Sequence, residues 1–360
     1  MKSVTTPDQS NITLREIYGQ PALWRTTPTL VEVASLRLDL PSVLRGKRVL
    51  LTGAGTSAYA AAAVAAAWPQ AIAVPTTGLL VDPERQSNGV DVVISLARSG
   101  NSPESAAVVE SIRSLHPKIY QLAITCNADG ALAKSTLDGL ITLDPRTNDR
   151  SLVMTSAFSN LVLAGLCLAL PVPAAASVED ASLRATAMLP AIDEQCRLLA
   201  SRVQDRIVML SSSPASAWAQ EAALKALEMT AGRFPILAES YLGLRHGPMS
   251  FIRPDTLVVC LLSSDPVRRL YEKDLIDELR TKKLGYVVAI GDGEKDAGLA
   301  EELLPAIAPH LPDALRTPYE IVSPQLLGFH LSLRIGLNPD NPSPGGIINR
   351  VVQGVRVHSL

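Results

Sequence analysis

The stretch Asp91-Val-Val-Ile-Ser-Leu-Ala-Arg-Ser-Gly-Asn-Ser-Pro-Glu-Ser105 decides the fold class. Val92-Val-Ile94 is a β-branched run of the kind that forms a buried strand. It gives way to Ser95, Arg98, Ser99, Gly100, Asn101 and Ser102. Ser102 is a favourable N-cap, and Pro103 falls where the first helical residue would be, with Glu104 and Ser105 behind it. A strand thus feeds a hydroxyl-rich turn, and the turn feeds a helix N-terminus. Free backbone N–H groups and the positive end of the helix dipole suit that geometry to an anion. Ser99 and Ser102 could add a hydrogen bond each. A well-capped α/β turn without a ligand would have the same sequence, so the stretch alone leaves both readings open.

A second turn of this kind lies upstream. Arg48-Val-Leu-Leu-Thr52 reads as a strand, Gly53-Ala-Gly55 as a tight turn, and Thr56-Ser57 opens an Ala-rich helix running to about Trp68. The dinucleotide fingerprint also requires an acidic residue about 20 positions further on, and Asp82 lies well beyond that distance. The triphosphate loop Gly-x-x-x-x-Gly-Lys-Ser/Thr is missing, which argues against nucleotide hydrolysis.

Outward from these turns, strands and helices alternate. Strands are expected at 48–52, 71–74, 92–95, 120–125 and 139–142, with helices at 56–68, 103–114 and 152–170. A lead-in helix over 12–24 is expected to break before Pro21, with a further helix around 29–36. Residues 173–183 read as a boundary, after which the pattern restarts. Strand 206–210, the turn Ser211–Ser216 and helix 217–230 are followed by strand 256–262, the turn Ser263–Pro266, helix 267–281 and strand 286–290. The two halves match element for element, which implies a duplicated α/β domain with parallel sheets covered on both faces. Ligands of open parallel sheets sit beyond the carboxyl ends of the strands, where these turns lie. A helix near 324–335 precedes a Pro/Gly-rich tail ending in an apolar, strand-like run over 347–355. The expected organisation is a lead-in over 1–30, a first, phosphate-binding domain over 31–178, a second over 179–338 and a C-terminal strap over 339–360.

Composition narrows the function. Apolar residues make up 47% of the 360 residues and charged residues 19%, enough for sizeable cores and incompatible with global disorder. A formal net charge of −2, no basic run longer than Thr281-Lys-Lys283 and only 4% aromatics argue against a nucleic-acid partner. The polar N-terminus has no apolar core of a signal peptide. The longest apolar stretch, Leu152 to Val172, is interrupted by Thr155, Ser156, Ser159 and Asn160, so it reads as a buried helix and no membrane partner is expected. Cys126, Cys167, Cys196 and Cys260 are scattered in apolar surroundings, as reduced core thiols of a cytoplasmic protein would be. No Cys/His cluster has metal-ligand spacing, so no metal is expected.

A second constellation lies in the second half. Helix 217–230 carries Glu221, Lys225 and Glu228, and the spacing of Glu221 and Lys225 is that of a surface ion pair. Downstream, Ala238-Glu-Ser-Tyr-Leu-Gly-Leu-Arg-His-Gly-Pro248 places Glu239 near the turn and His246 at a chain reversal. A lone histidine before Gly-Pro is commonly structural. Moving a proton between adjacent carbons, however, needs a base on one face of the substrate, and opening a ring needs a second acid/base at the ring oxygen. Glu228 and His246 would suit that pair, with Lys225 favouring the ionised form of Glu228 and Glu239 as the alternative base.

Gly53-Ala-Gly-Thr-Ser57, Ser95-Leu-Ala-Arg-Ser-Gly-Asn-Ser-Pro-Glu104, Ala223-Leu-Lys-Ala-Leu-Glu228 and Leu244-Arg-His-Gly-Pro248 together resemble the sugar isomerase (SIS) domain family. Their order and spacing are those of its tandem two-domain members, including the isomerase half of glucosamine-6-phosphate synthase. The stretch 144–155 and the tail Asn341-Pro-Ser-Pro with Asn349-Arg-Val-Val-Gln-Gly354 are similar to the branch of tagatose-6-phosphate ketose/aldose isomerases and galactosamine-6-phosphate deaminases.

The resemblance implies two flavodoxin-like α/β domains, each a parallel sheet sandwiched by helices. It implies that Thr56, Ser57, Ser99 and Ser102, with the backbone of Gly55, Arg98, Gly100 and Asn101, hold a sugar 6-phosphate. Glu228 would move a proton between C2 and C1, and Asp149 would contact the sugar. His246 would open the ring, reaching into the neighbouring subunit's site of a dimer or a tetramer of dimers. No cofactor is implied. The expected reaction is conversion of galactosamine-6-phosphate to tagatose-6-phosphate and ammonia. A simple aldose–ketose isomerase and a non-catalytic sugar-phosphate sensor are the alternatives, and retention of Glu228 and His246 argues against the sensor. Ala97 and Arg98 depart from a serine and a glutamine of the synthase. The turn Ser211-Ser-Ser-Pro214 lacks glycines, so only the first domain is expected to bind phosphate. Arg350 lies near the position of the synthase's tail lysine, and an arginine forms no Schiff base at accessible pH, which argues against ketose amination.

Overall fold

A computed structural model describes residues 10–358. In chain order, α1 (Ile12–Trp24), α2 (Thr27–Arg37) and α3 (Leu40–Leu44) precede β1 (Val49–Thr52), α4 (Thr56–Ala67), β2 (Ala71–Ala73), α5 (Thr76–Val81) and α6 (Pro83–Gln86). Then come β3 (Val92–Ala97), α7 (Pro103–Leu115), β4 (Tyr120–Thr125), β5 (Gly139–Thr142), α8 (Ser156–Ala169) and the long α9 (Pro171–Arg202). The pattern restarts with β6 (Ile207–Leu210), α10 (Ser216–Met229), β7 (Ile236–Glu239), α11 (Tyr241–Leu244), β8 (Leu257–Leu261) and α12 (Pro266–Thr281). It closes with β9 (Tyr286–Gly291), β10 (Glu302–Pro305), α13 (Asp313–Glu320) and α14 (Val322–Arg334).

The first sheet has the order β2-β1-β3-β4-β5 and the second β10-β9-β8-β6-β7, with every pairing parallel. Renumbered from its own first strand and read from the opposite edge, the second sheet repeats the 2-1-3-4-5 order of the first. This is the doubly wound, flavodoxin-like order expected from the duplicated pattern. Parallel strands need crossovers, which put helices on both faces and bury the central strands from both sides. Every residue of β1, β3, β6 and β8 is accordingly buried. Leu50 and Val93 pack with Val108 and Ile112 of α7 in one core, and Val208 and Val258 with Leu275 and Ile276 of α12 in the other.

The chain divides into two compact units, and neither is continuous in sequence. One comprises residues 22–149, 156–179 and 346–358, and the other residues 10–21, 150–155 and 180–345. In the latter, the Ile12 and Thr13 amides donate to the Asp340 carboxylate at 3.0 and 2.8 Å.

Several local expectations are corrected. α1 continues through Pro21. The proline leaves the Ile17 carbonyl without its usual amide partner, and the Gln20 side chain donates to that carbonyl instead, at 3.2 Å. The division between the two units falls inside residues 173–183, between Glu179 and Asp180, but these residues are helical, within α9. Pro171 and Pro173 lie in its first turn, where amides need no intrahelical partner, and the alanines that follow favour helix. The helix expected from residue 152 begins at Ser156, where Asp149 caps it. The apolar run 347–355 forms no strand. Two strands went unrecognised, β7 and β10. Both are short edge strands, β7 following Pro235 and β10 ending in Pro305.

The Ala-rich α4 packs against α8. A Cβ added at Gly165 of α8 would come within 2.4 Å of Val64 Cγ2. Alanine would raise helix propensity by about 1 kcal/mol, but overpacking against a stiff β-branched side chain costs about 1–3 kcal/mol. Gly165→Ala is therefore expected to lower stability in urea denaturation, and adding Val64→Ala to recover part of the loss.

Candidate active site

At the carboxyl edge of the first sheet, the chain turns from β1 into α4 through Gly53 and Gly55. A Cβ on Gly53 would clash at 2.5 Å with the Ser57 carbonyl carbon, and Gly55, though its Cβ would meet open space, has φ +56°, a conformation L side chains rarely adopt. Thr56 and Ser57 are buried at the start of α4. The turn from β3 into α7 runs through Arg98, Ser99, Gly100, Asn101 and Ser102. Residues after β4 pin it: Asn127 Nδ2 donates to the Ser99 carbonyl at 2.9 Å, the Leu132 amide to the Gly100 carbonyl at 2.8 Å, and the Ala131 amide to Asn101 Oδ1 at 3.0 Å. Gly130 passes so close that a Cβ there would lie 2.2 Å from the Ser99 oxygen. The sequence reading missed this clamp, although Asn127-Ala-Asp-Gly130 carries a turn signal. Ser102 has extended backbone at the N-cap of α7, yet its side chain makes no capping bond. The Ser102 hydroxyl therefore remains for an anion, although Pro103 carries no amide and the Ser105 amide donates to the Ser102 carbonyl at 3.0 Å.

Arg98, Asp149 and Arg350 come together beside this turn, with their groups directed at protein. The buried Arg98 guanidinium donates to the Arg350 carbonyl. Arg350 donates to the Asp149 carbonyl at 2.8 Å and to Asn148 Oδ1 at 2.7 Å. The Asp149 carboxylate accepts the Ser156 and Ala157 amides at 3.1 and 2.8 Å, so it caps α8. Burial pushes the neighbouring Cys126 thiol up to about 12, outweighing the Thr147 hydrogen bond and the nearby arginines. Cys126 is therefore a protonated core thiol and not a nucleophile.

In the other unit, α10 carries a carboxylate–ammonium–carboxylate row. Lys225 lies between Glu221, at 3.5 Å, and Glu228. Lys225 and Glu221 have no exposed side-chain surface, which corrects the expectation of a surface pair. The physical reason is close packing of α10 against α14, where a Cβ on Gly328 would meet Met229 Sδ at 3.0 Å and the Lys225 carbonyl oxygen at 3.5 Å. Glu228 keeps 24% of its side chain exposed, and so presents a carboxylate to solvent from a fixed, charge-compensated position. Glu239 is spent on its own turn, accepting the Ser240 amide at 2.7 Å with its carboxylate over Gly243. His246 follows α11 and is exposed. Its amide bonds the Gly243 carbonyl at 2.9 Å, and Gly247 with φ +123° reverses the chain behind it.

Two 2-1-3-4-5 sheets, the first ending in hydroxyl-bearing turns at its carboxyl edge, define a tandem doubly wound α/β architecture. The family model described as SIS domain matches residues 43–170. The D-galactosamine-6-phosphate deaminase AgaS of Shewanella sp. is 38% identical over 96% of this chain and 91% of its own length. The protein of that name from Escherichia coli O157:H7 is 35% identical over 96% and 95%. Among solved structures, the tagatose-6-phosphate ketose/aldose isomerase from Escherichia coli superposes with a TM-score of 0.87 at 31% identity, covering 97% of each chain. The chain belongs to the SIS domain family and is an enzyme within it.

Removing the cation from the buried row should be costly, because it leaves Glu221 an uncompensated interior charge. Lys225→Met is expected to lose about 3–5 kcal/mol of stability by chemical denaturation, and Glu221→Gln, which leaves the Lys225–Glu228 pair, distinctly less.

Proposed function

We propose that the enzyme converts galactosamine-6-phosphate and water to tagatose-6-phosphate and ammonia. The observation that carries this reading is 38% identity, across nearly the whole chain, to a protein named for that deamination. The open Ser99–Ser102 turn and the half-open Glu228 support it. In this reading, the phosphoryl group binds Gly55, Thr56, Ser57 and the turn from Ser99 to Ser102 through hydroxyls and helix-end amides. Arg98 and Arg350 act from behind, by holding the turn and the tail in register. His246 protonates and opens the ring. The Glu228 carboxylate then takes the C2 proton and returns it to C1. The aldehyde carbon becomes the C1 alcohol and the amine-bearing carbon an imine, which water hydrolyses to the C2 ketone with release of ammonia. No electrons leave the substrate, so these steps need no redox cofactor.

Glu228 serves as the base because its carboxylate is compensated by Lys225 and partly open, whereas Glu239 is tied to its own turn. The exposure of His246 on its own chain supports action in a neighbouring subunit's site, so the working form is at least a homodimer, in the cytoplasm. Simple ketose/aldose isomerisation without loss of nitrogen is the second reading, favoured by the likeness to the Escherichia coli isomerase structure.

The two readings separate on ammonia release. The purified enzyme is expected to liberate ammonia from galactosamine-6-phosphate faster than from glucosamine-6-phosphate. Isomerisation of tagatose-6-phosphate without ammonia release from either amino sugar would select the second reading. Glu228→Gln should lower kcat by about a hundredfold or more, the scale of losing a general base, with KM little changed. A normal kcat in this variant, with loss in Glu239→Gln, would transfer the role to Glu239. Light scattering at assay concentration should give a dimer or larger, and a fully active monomer would refute the shared site.

A further inference from the structure

The second sheet opens two helices from its carboxyl edge in the way the first does. β6 leads through Ser211–Ala215 into α10, and β8 through Leu262, Ser263, Ser264 and Asp265 into α12. The turn donors are again hydroxyls and backbone amides, here those of Ser263 and Ser264 just ahead of Asp265, which itself caps α12, and each is engaged by a carboxylate of the chain. Glu272 accepts Ser212 Oγ at 2.6 Å and the Ser263 amide at 2.8 Å. Asp313, the first residue of α13, accepts Ser263 Oγ, the Ser264 amide at 2.7 Å and Ser264 Oγ at 3.1 Å. Two guanidinium groups complete its surroundings, Arg268 at 3.2 Å and Arg316 at 3.3 Å.

This is the donor set an oxyanion requires: two hydroxyls, a turn amide and two arginines. Arg316 is 1% exposed, and its Nε is buried with no hydrogen-bond partner among the described residues, an orphan donor within the cluster. Ser212, Ser263, Glu272, Asp313 and Arg316 line a pocket with no room for a water molecule. Burial acts to raise the Asp313 carboxyl, but the Ser263 and Ser264 hydrogen bonds and Arg316 outweigh it and hold the group below its usual range. Glu272, more deeply buried, is pushed above the carboxylate range despite Ser212, the Ser263 amide and Arg269.

We propose that the second sheet carries, at the same carboxyl edge as the first sheet's turns, an oxyanion cradle filled by the chain's own Asp313 carboxylate, and that removing this side chain uncovers a site for a small free carboxylate. Formate is the group that Asp313→Ala deletes, so it is the probe. In the full chain, Asp313→Ala should melt roughly 5 °C or more below the parent protein in sodium chloride, the scale of losing charge-assisted hydrogen bonds in a unit of this size. Replacing chloride with equimolar formate should raise the variant's midpoint in a saturable manner, and clearly more than the parent's. If the variant does not fold in chloride, refolding in formate should rescue it. Asp313→Asn keeps the space filled without the charge, so it should also melt low but show no formate response beyond the parent's. An Asp313→Ala response to formate no larger than the parent's, failure to refold in formate as in chloride, or an Asp313→Asn midpoint equal to the parent's would each overturn the proposal.

Discussion

Parallel pairing leaves no place for a hairpin. Each strand of either sheet returns to the next only by a crossover over one face, so successive strand-to-helix turns open on the same edge. That constraint gathers helix N-termini, with their unpaired amides, at the carboxyl ends of β1 and β3 and again of β6 and β8. It accounts for the uniform burial of the central strands and for the hydroxyl-rich composition of the turns. The two edges differ in what fills them. Gly53 and Gly100 let neighbouring chain approach in the first, Gly55 takes a positive φ, and Ser102 makes no capping bond there. In the second, side chains from α12 and α13 reach in and satisfy the turn from within.

Charge inside α10 is handled in a related way. A lysine with no exposed side chain is tolerated because carboxylates one turn away on each side compensate it. The arrangement also immobilises the outer carboxylate, Glu228, since moving it would leave Lys225 with less compensation in a dry environment. In the proposed reaction, where Glu228 takes and returns one proton, such fixation sets its position relative to the carbon skeleton before substrate arrives.

The periodicity of the chain revealed the central strands, the helices following them and the duplication, because buried parallel strands and capped helix starts leave local signals. Ser102-Pro103 marked the start of α7 to the residue, and the capped turn Ser263–Pro266 that of α12 within one residue. What escaped were features decided by partners distant in sequence. Pro21 was read as a helix breaker because the side chain that compensates it, Gln20, looks like any polar surface residue. Lys225 and Glu221 were read as exposed because i,i+4 spacing says nothing about what packs over it, and here it is Gly328 of α14. Asp149, expected at the sugar, has the chemistry of either a ligand contact or a helix cap, and only the placement of α8 shows that both oxygens face its amides. The edge strands β7 and β10, each of four residues and bordered by proline, carry too little pattern to stand out.

The discontinuity of the two compact units bears on how the protein comes to exist in a cell. During translation a contiguous domain can fold as soon as its last residue clears the ribosome, and N-terminal domains generally lead. Here the unit holding the Ser99 turn includes residues 346–358, with Arg350 gripping Asn148 and Asp149, while residues 10–21 belong with a unit in which Asp340 binds the Ile12 and Thr13 amides. Neither can assemble its full set of contacts while the chain is still growing through these positions. Each unit can therefore complete its contacts only once the C-terminal residues have been made. A ribosome that stops before residue 346 leaves a product lacking part of the N-terminal sheet's own unit, although every strand of that sheet has been made.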